Sequence, residues 1–182
     1  LLGAAPKVRT TDPKAYALYL QANELGRQLS AESVAKSDAL YRQVLEMDPR
    51  YAPAWDGLAT NFNDKMMMGL VSNQEGLARS REATEKVLAI DPDYAPGYSR
   101  LGRVAMYADN DLAGAARNHQ RALALDPTDV GVLSNIATFL LSLGRMDDAL
   151  SVQEAVVRSD PVDVASLYNL GYDQRMAGRY DA

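Results

Sequence analysis

The chain has 182 residues, a net charge of −5 at pH 7, no cysteine and one histidine. The acidic balance excludes a nucleic-acid surface as the main role and disfavours attachment to anionic lipid. Disulfides and cysteine-based zinc sites are ruled out, and no run approaches the ~20 apolar residues of a membrane helix.

Taken in order, residues 1–12 read as an N-terminal extension or linker. Leu1 to Ala5 resembles the end of an upstream membrane helix or signal segment in composition. That origin would place the protein in the cell envelope, and the cytoplasm is expected otherwise. Residues 13–49 form a first, irregular unit. Its first helix is predicted over Ala15 to about Leu29, with Tyr16, Tyr19, Leu20 and Leu25 apolar, and its second over Ala39 to Met47. Residues 50–92 open with Trp55, Leu58, Ala59 and Phe62, whose steps of three and four put them on one helix face. The same spacing recurs at Tyr98, Leu101, Gly102 and Ala105 in unit 93–127. It recurs again at Leu133, Ile136, Ala137 and Leu140 in unit 128–161. Residues 162–182 repeat only its first half, through Leu167, Leu170 and Gly171. The end, Gly178 to Ala182, parallels Gly144 to Asp148 at the start of a second helix. The chain is therefore expected to be a piece of a longer protein. Its last helix would meet another domain of that chain, or a second copy end to end through 162–182.

Three intervals tie these units together. Asp-Pro pairs stand at Asp48-Pro49, Asp91-Pro92, Asp126-Pro127 and Asp160-Pro161, the last three prolines 35 and 34 residues apart. Six residues after each proline comes Trp55, Tyr98, Leu133 or Leu167, and twelve before it Ser37, Ser80, Ala115 or Ala149. A fixed period of this length means one supersecondary unit used repeatedly. Each unit is read as two helices, with the proline ending one unit and able to start the next. Small residues at Ala59, Gly102, Ala137, Gly171, Ala115 and Ala149 are where paired helices approach closely. The Trp55 unit is longer by an insertion of about eight or nine residues, roughly Asp64 to Asn73, counted against its neighbours. It holds Met66, Met67 and Met68. These are read as a helical extension packed on a neighbouring turn, with an adaptable partner-binding lip as the competing reading.

The pattern resembles the tetratricopeptide repeat, W-x2-L-G-x2-Y…A-x3-F…P. Trp55-x2-Leu58-Ala59-x2-Phe62 and Tyr98-x2-Leu101-Gly102 carry the resemblance, and Leu133-x2-Ile136-Ala137-x2-Leu140 fits conservatively. On the second helices the family's aromatic place is filled by Tyr41, Thr84, His119 and Gln153. The resemblance implies an all-α fold, a right-handed α-solenoid of antiparallel helix pairs, over residues 13–182. It also implies a non-catalytic scaffold that holds a peptide or a partner domain in its concave groove. A second resemblance lies in the strings Ala15 to Leu20, Ala39 to Tyr41 and Asp48 to Trp55. They look like the repeats that follow a winged-helix or nucleotidyl-cyclase domain in some bacterial signalling proteins, which implies a sensory or regulatory module.

Catalytic chemistry is not expected. His119 is read as a ring wedged between helices, no cofactor or metal is expected, and the recurring aspartates are read as structural turns. In a stack of hairpins the first helices line the inner wall. Residues two and five places after each large apolar residue then face the groove. These are Gly57 and Thr60, Arg100 and Arg103, Asn135 and Thr138, Asn169 and Tyr172. Asparagine donates to and accepts from a peptide backbone, and arginine holds a carboxylate in a bidentate pair. Tyr107, Tyr168 and Tyr172 are expected to stack on an apolar side chain. Arg100, Arg103, Asn135 and Asn169 resemble part of the clamp with which some tetratricopeptide proteins hold a terminal carboxylate. Asp56 and Gly57 stand where that clamp would continue.

Overall fold

A computed structural model of the chain describes residues 10–159 and, beyond them, 167, 170, 171, 174, 175 and 178. Tyr168, Asn169, Tyr172 and most of unit 162–182 lie outside the described residues. Among those described there are eight helices and no strand: α1 Pro13–Arg27, α2 Ala31–Met47, α3 Ala52–Met67, α4 Asn73–Ile90, α5 Ala95–Tyr107, α6 Leu112–Leu125, α7 Val130–Ser142 and α8 Met146–Ser159. Each odd-numbered helix packs against the even-numbered helix that follows, and each hairpin packs on the next. First helices of successive hairpins also touch, α1 on α3 and α5 on α7, while second helices stay apart. That asymmetry curves the stack with its first helices inside. The molecule is an α-solenoid.

The Asp-Pro interval has a local cause. α2, α4 and α6 end at Asp48, Asp91 and Asp126, whose amides still donate to the preceding turn. The aspartate side chain then accepts the amide two residues on: Arg50 at 3.0 Å, Asp93 at 3.2 Å and Thr128 at 2.9 Å. Such an Asx turn satisfies the backbone where proline stops the helix. The six-residue step has a cause as well. Trp55 Nε1 donates to the Pro49 carbonyl at 3.0 Å, and Tyr98 Oη to the Pro92 carbonyl at 3.0 Å. The ring is partly buried on the hairpin while its polar tip ties down the turn. One expectation changes. Pro49, Pro92 and Pro127 lie in the connecting turns and do not begin the next helix. Pro53 and Pro96 occupy the first turns of α3 and α5, and α7 uses Asp129 as its cap on Val132. α2 also starts eight residues earlier than its apolar pattern suggested, at Ala31, because Ser30 and Ser33 cap it reciprocally.

Small residues sit where helices cross. Ala59, Ala115, Ala137, Ala149 and Ser37 are buried, at 0 or 1% exposure. Gly171, grouped with them by register, is exposed. The second-helix place is buried in all four hairpins whatever occupies it: Tyr41, Thr84, His119 and Gln153. His119 lies over Gly102, where a Cβ would stand 2.7 Å from its Nε2, and its ring centroid is 5.2 Å from that of Phe139. Neither ring nitrogen has a hydrogen-bond partner. Burial, helped by the nearby Arg103 cation, pushes His119 down to about 4 from an ordinary 6.5.

The unfolded chain therefore takes up a proton at this residue first as pH falls. The stability that the neutral ring allows is complete above its unfolded value and is lost as pH drops toward 4. About 2 kcal/mol should be gone by roughly pH 5. Urea midpoints of the protein and of His119→Phe at neutral pH and near pH 5 check this: the histidine form should lose more. Equal losses would mean that the ring finds a proton acceptor or water in solution.

The insertion does not make a loop. It lengthens both helices, so α3 has 16 residues and α4 has 18 where α5 and α6 have 13 and 14. The turn closes on Gly69, at φ +70°, a conformation that glycine takes without a Cβ penalty. Met66 is half-buried and lines a small space with Arg103, Val104 and Leu77. Met67 stands 78% exposed.

Candidate functional site

The inner wall is built from α1, α3, α5 and α7. Arg100 and Arg103 stand on α5 one turn apart, and both are engaged by α3. Arg100 Nη2 donates to Asp56 Oδ1 at 2.6 Å and to Thr60 Oγ1 at 3.1 Å. Arg103 Nη2 donates to Asn63 Oδ1 at 2.5 Å. Burial lowers the Arg103 pKa, and the Arg100 charge adds to the effect. Asn135 Nδ2 on α7 donates to Ser99 Oγ on α5 at 3.0 Å. Thr138 is exposed, and its hydroxyl donates to the Ser134 carbonyl.

One rule covers two of these cross-repeat bonds. The residue two places after the large apolar residue donates to the residue one place after it in the preceding hairpin: Arg100 to Asp56, Asn135 to Ser99. α5 and α7 are close enough for asparagine to reach serine. α3 and α5 pack less closely, and long arginines bridge them. The guanidiniums that the sequence offers to a ligand thus already join two hairpins. Tyr107 does not line this stretch. It is 54% exposed on a separate hollow beside Leu77 and Ala78 of α4.

An open hollow of about 810 Å³ lies on the inner side between α1 and α3, with Tyr41 of α2 at its side. Tyr19, Asn23, Asp56, Thr60 and Asp64 face it. The Tyr41 ring lies directly over Gly57, where a Cβ would meet Cζ at 2.2 Å, and its hydroxyl donates to Asn23 Oδ1 at 2.5 Å. Tyr19 packs on it and, edge-on at 5.3 Å, on Tyr51. Burial raises the Asp64 carboxyl above its usual range, against the pull of an Asn63 hydrogen bond and of Arg100 and Arg103.

Beneath the hollow a buried polar chain locks three helices. Asn61 Nδ2 donates to Asp38 Oδ1 at 2.7 Å and to Ser37 Oγ at 3.0 Å, and Ser37 donates to the Ala22 carbonyl at 2.8 Å. Lys65 pairs with the other Asp38 oxygen. A second space, beside Arg100 and Met66, measures only about 10 Å³ and is too small for a ligand.

Asn23, Asn61 and Asp64 were not singled out from sequence. Asp64 is one helical turn beyond Thr60, so extending the inner-face register would have found it. Asn23 belongs to the unit whose motif is weakest. Among the described residues, no three His, Cys, Asp or Glu side chains gather as a metal site, and no helix is long and apolar enough to cross a membrane.

Stacked hairpins with polar, side-chain-lined hollows on the inner curve define a class of protein: helical-repeat modules with extended concave surfaces. Residues 106–170 match the family model described as Tetratricopeptide repeat, and over most of the chain the fold is that of solved TPR proteins. The chain is similar to TTC0263, a thermophilic TPR protein in Thermus thermophilus, at 21% identity and a TM-score of 0.67, over 88% of this chain and 81% of that one. It is similar to YrrB, described as a TPR protein with an unusual peptide-binding site, at 23% identity and TM-score 0.50, over 92% and 79%. It is similar also to the first TPR of Spaghetti (RPAP3), bound to the HSP90 peptide SRMEEVD, at 17% identity and TM-score 0.54, over 76% and 99%. At these identities the likeness concerns the fold. No curated protein matches the sequence significantly.

Proposed function

We propose that this chain is a non-catalytic scaffold whose concave wall binds a peptide segment or a partner domain. The observation that carries the reading is the open hollow of about 810 Å³ between α1 and α3, faced by Asn23, Thr60 and Asp64 and walled by Tyr19 and Tyr41. Amide, hydroxyl and carboxyl groups there suit the backbone of an extended peptide, and the tyrosine rings suit an apolar side chain. Peptide binding by two structures of similar fold supports the same use. Arg100, Arg103, Asn135 and Thr138 continue the wall, and Asn169 and Tyr172 are proposed to extend it. Because Asp56 holds Arg100, the wall suits a peptide's interior better than a free terminal carboxylate.

The test is selection from a random peptide display library, followed by mapping of the selected peptides through backbone amide shifts. Perturbations should centre on Asn23, Thr60 and Asp64. Thr60→Arg, which fills an exposed inner position, should weaken the selected peptides at least about tenfold. If no peptide is selected, or if selected peptides map to the outer helices, the groove reading fails.

A further inference from the structure

The longer second hairpin creates a site that the inner wall does not explain. α3 and α4, with 16 and 18 residues, are longer than α5 and α6, with 13 and 14, and Arg81, two turns into α4, already meets Asp109 beyond the end of α5. The overhang leaves a step between the start of α4 and the end of α5. A hollow of about 600 Å³ occupies it, with Leu77, Ala78, Tyr107 and Ala108 among its walls and the amides Asn73 and Gln74 at one side. That volume lies within the roughly 300–1,000 Å³ of ligand clefts. Tyr107 is 54% exposed here, and Met67 and Leu70 are exposed at the tip of the same overhanging hairpin.

Charge at the rim decides what fits. Arg81 Nη2 grips both oxygens of Asp109, at 2.6 and 2.7 Å. Glu82 is held by Arg79 at 3.3 Å. Each charge at the step is therefore already answered by its neighbour, and a charged ligand would have to break a pair to gain one. An uncharged ligand breaks none. Its apolar part covers Leu77, Ala78 and the Tyr107 ring, and the two amides are free to meet a backbone.

We infer that the step between α4 and α5 is a second docking surface. Its occupant is an uncharged peptide segment that seats one aromatic or branched apolar side chain against Leu77, Ala78 and Tyr107. Asn73 and Gln74 meet the segment's backbone. The site stands apart from the concave groove and does not depend on it.

The experiment titrates the full chain with N-acetyl-tryptophanamide, an uncharged capped residue, and follows backbone amide shifts. Saturable shifts are expected at Leu77, Ala78, Tyr107 and Ala108, with an affinity that salt does not change. N-acetyl-lysinamide should leave these residues unmoved. Ala78→Glu places a charge in the hollow from an exposed position, and should weaken the probe at least about tenfold. Tyr107→Thr removes the ring and should do the same, which covers the case of one variant folding poorly. The inference is overturned if the shifts do not saturate. It is equally overturned if they are as large at the exposed tips Leu29 and Leu143, or if both variants bind as the parent does.

Discussion

Gly57→Ala is expected to destabilise the protein by about 3 kcal/mol, through overpacking against the Tyr41 ring. At an unobstructed helix position the same change would stabilise by about 1 kcal/mol. The sign reverses because a Cβ on Gly57 would stand 2.2 Å from Tyr41 Cζ and 2.5 Å from Cε1. Tyr41 is held in place: it is 3% exposed, and its hydroxyl donates to Asn23. Trp55, on the same helix and partly buried against this cluster, reports the local transition by fluorescence in urea. Tyr41→Ala alone should cost about 3–5 kcal/mol. The double variant should cost less than the two singles together by at least about 1 kcal/mol, because the clash vanishes with the ring. A stabilised Gly57→Ala protein would show that α2 and α3 do not pack as described.

Lys65→Met should cost about 3 kcal/mol, since it leaves a largely buried carboxylate without its cation. Asp38 and Lys65 side chains are 12% and 19% exposed, far from the screened condition of a surface pair. Asn61 would still hold Asp38 Oδ1, but one amide does not neutralise a charge. Asp38→Leu combined with Lys65→Met should recover more than half of the loss, because both charges leave together. Urea midpoints of the four proteins in this cycle measure the effect. A cost below about 0.5 kcal/mol would place the pair in solvent. Because α1, α2 and α3 meet at this network, the loss should also loosen the wall of the large inner hollow.

The acid limb from His119, the Gly57 contact and the Lys65 pair concern stability. The concave groove and the step concern binding. The same few residues link the two sets. Tyr41 both covers Gly57 and lines the hollow, and Arg103 both ties α5 to α3 and lowers the basicity of His119.

Several features were legible in the residues alone because their causes are local and recur. An aspartate before proline makes an Asx turn at Asp48, Asp91 and Asp126, where the chain leaves a helix. An aromatic residue six places on reaches back to the proline carbonyl, as Trp55 and Tyr98 do. Steps of three and four then place one apolar stripe per helix, and small residues mark the crossings at Ala59, Ala115, Ala137 and Ala149. Repetition multiplies these weak signals, so the hairpins and their stacking could be read from the residues.

Which residue of one hairpin meets which residue of the next was decided only by the tertiary structure. It depends on the rotation between units, a small angle set by the whole packing and encoded by no single motif. Hence the consumption of Arg100 by Asp56, the position of Tyr107 away from the inner wall, and the closure of the Asn61, Asp38 and Lys65 chain had to be seen. The insertion followed the same logic. Its residues favour helix as readily as loop, and only contact between α3 and α4 made it two longer helices, with a step at their end.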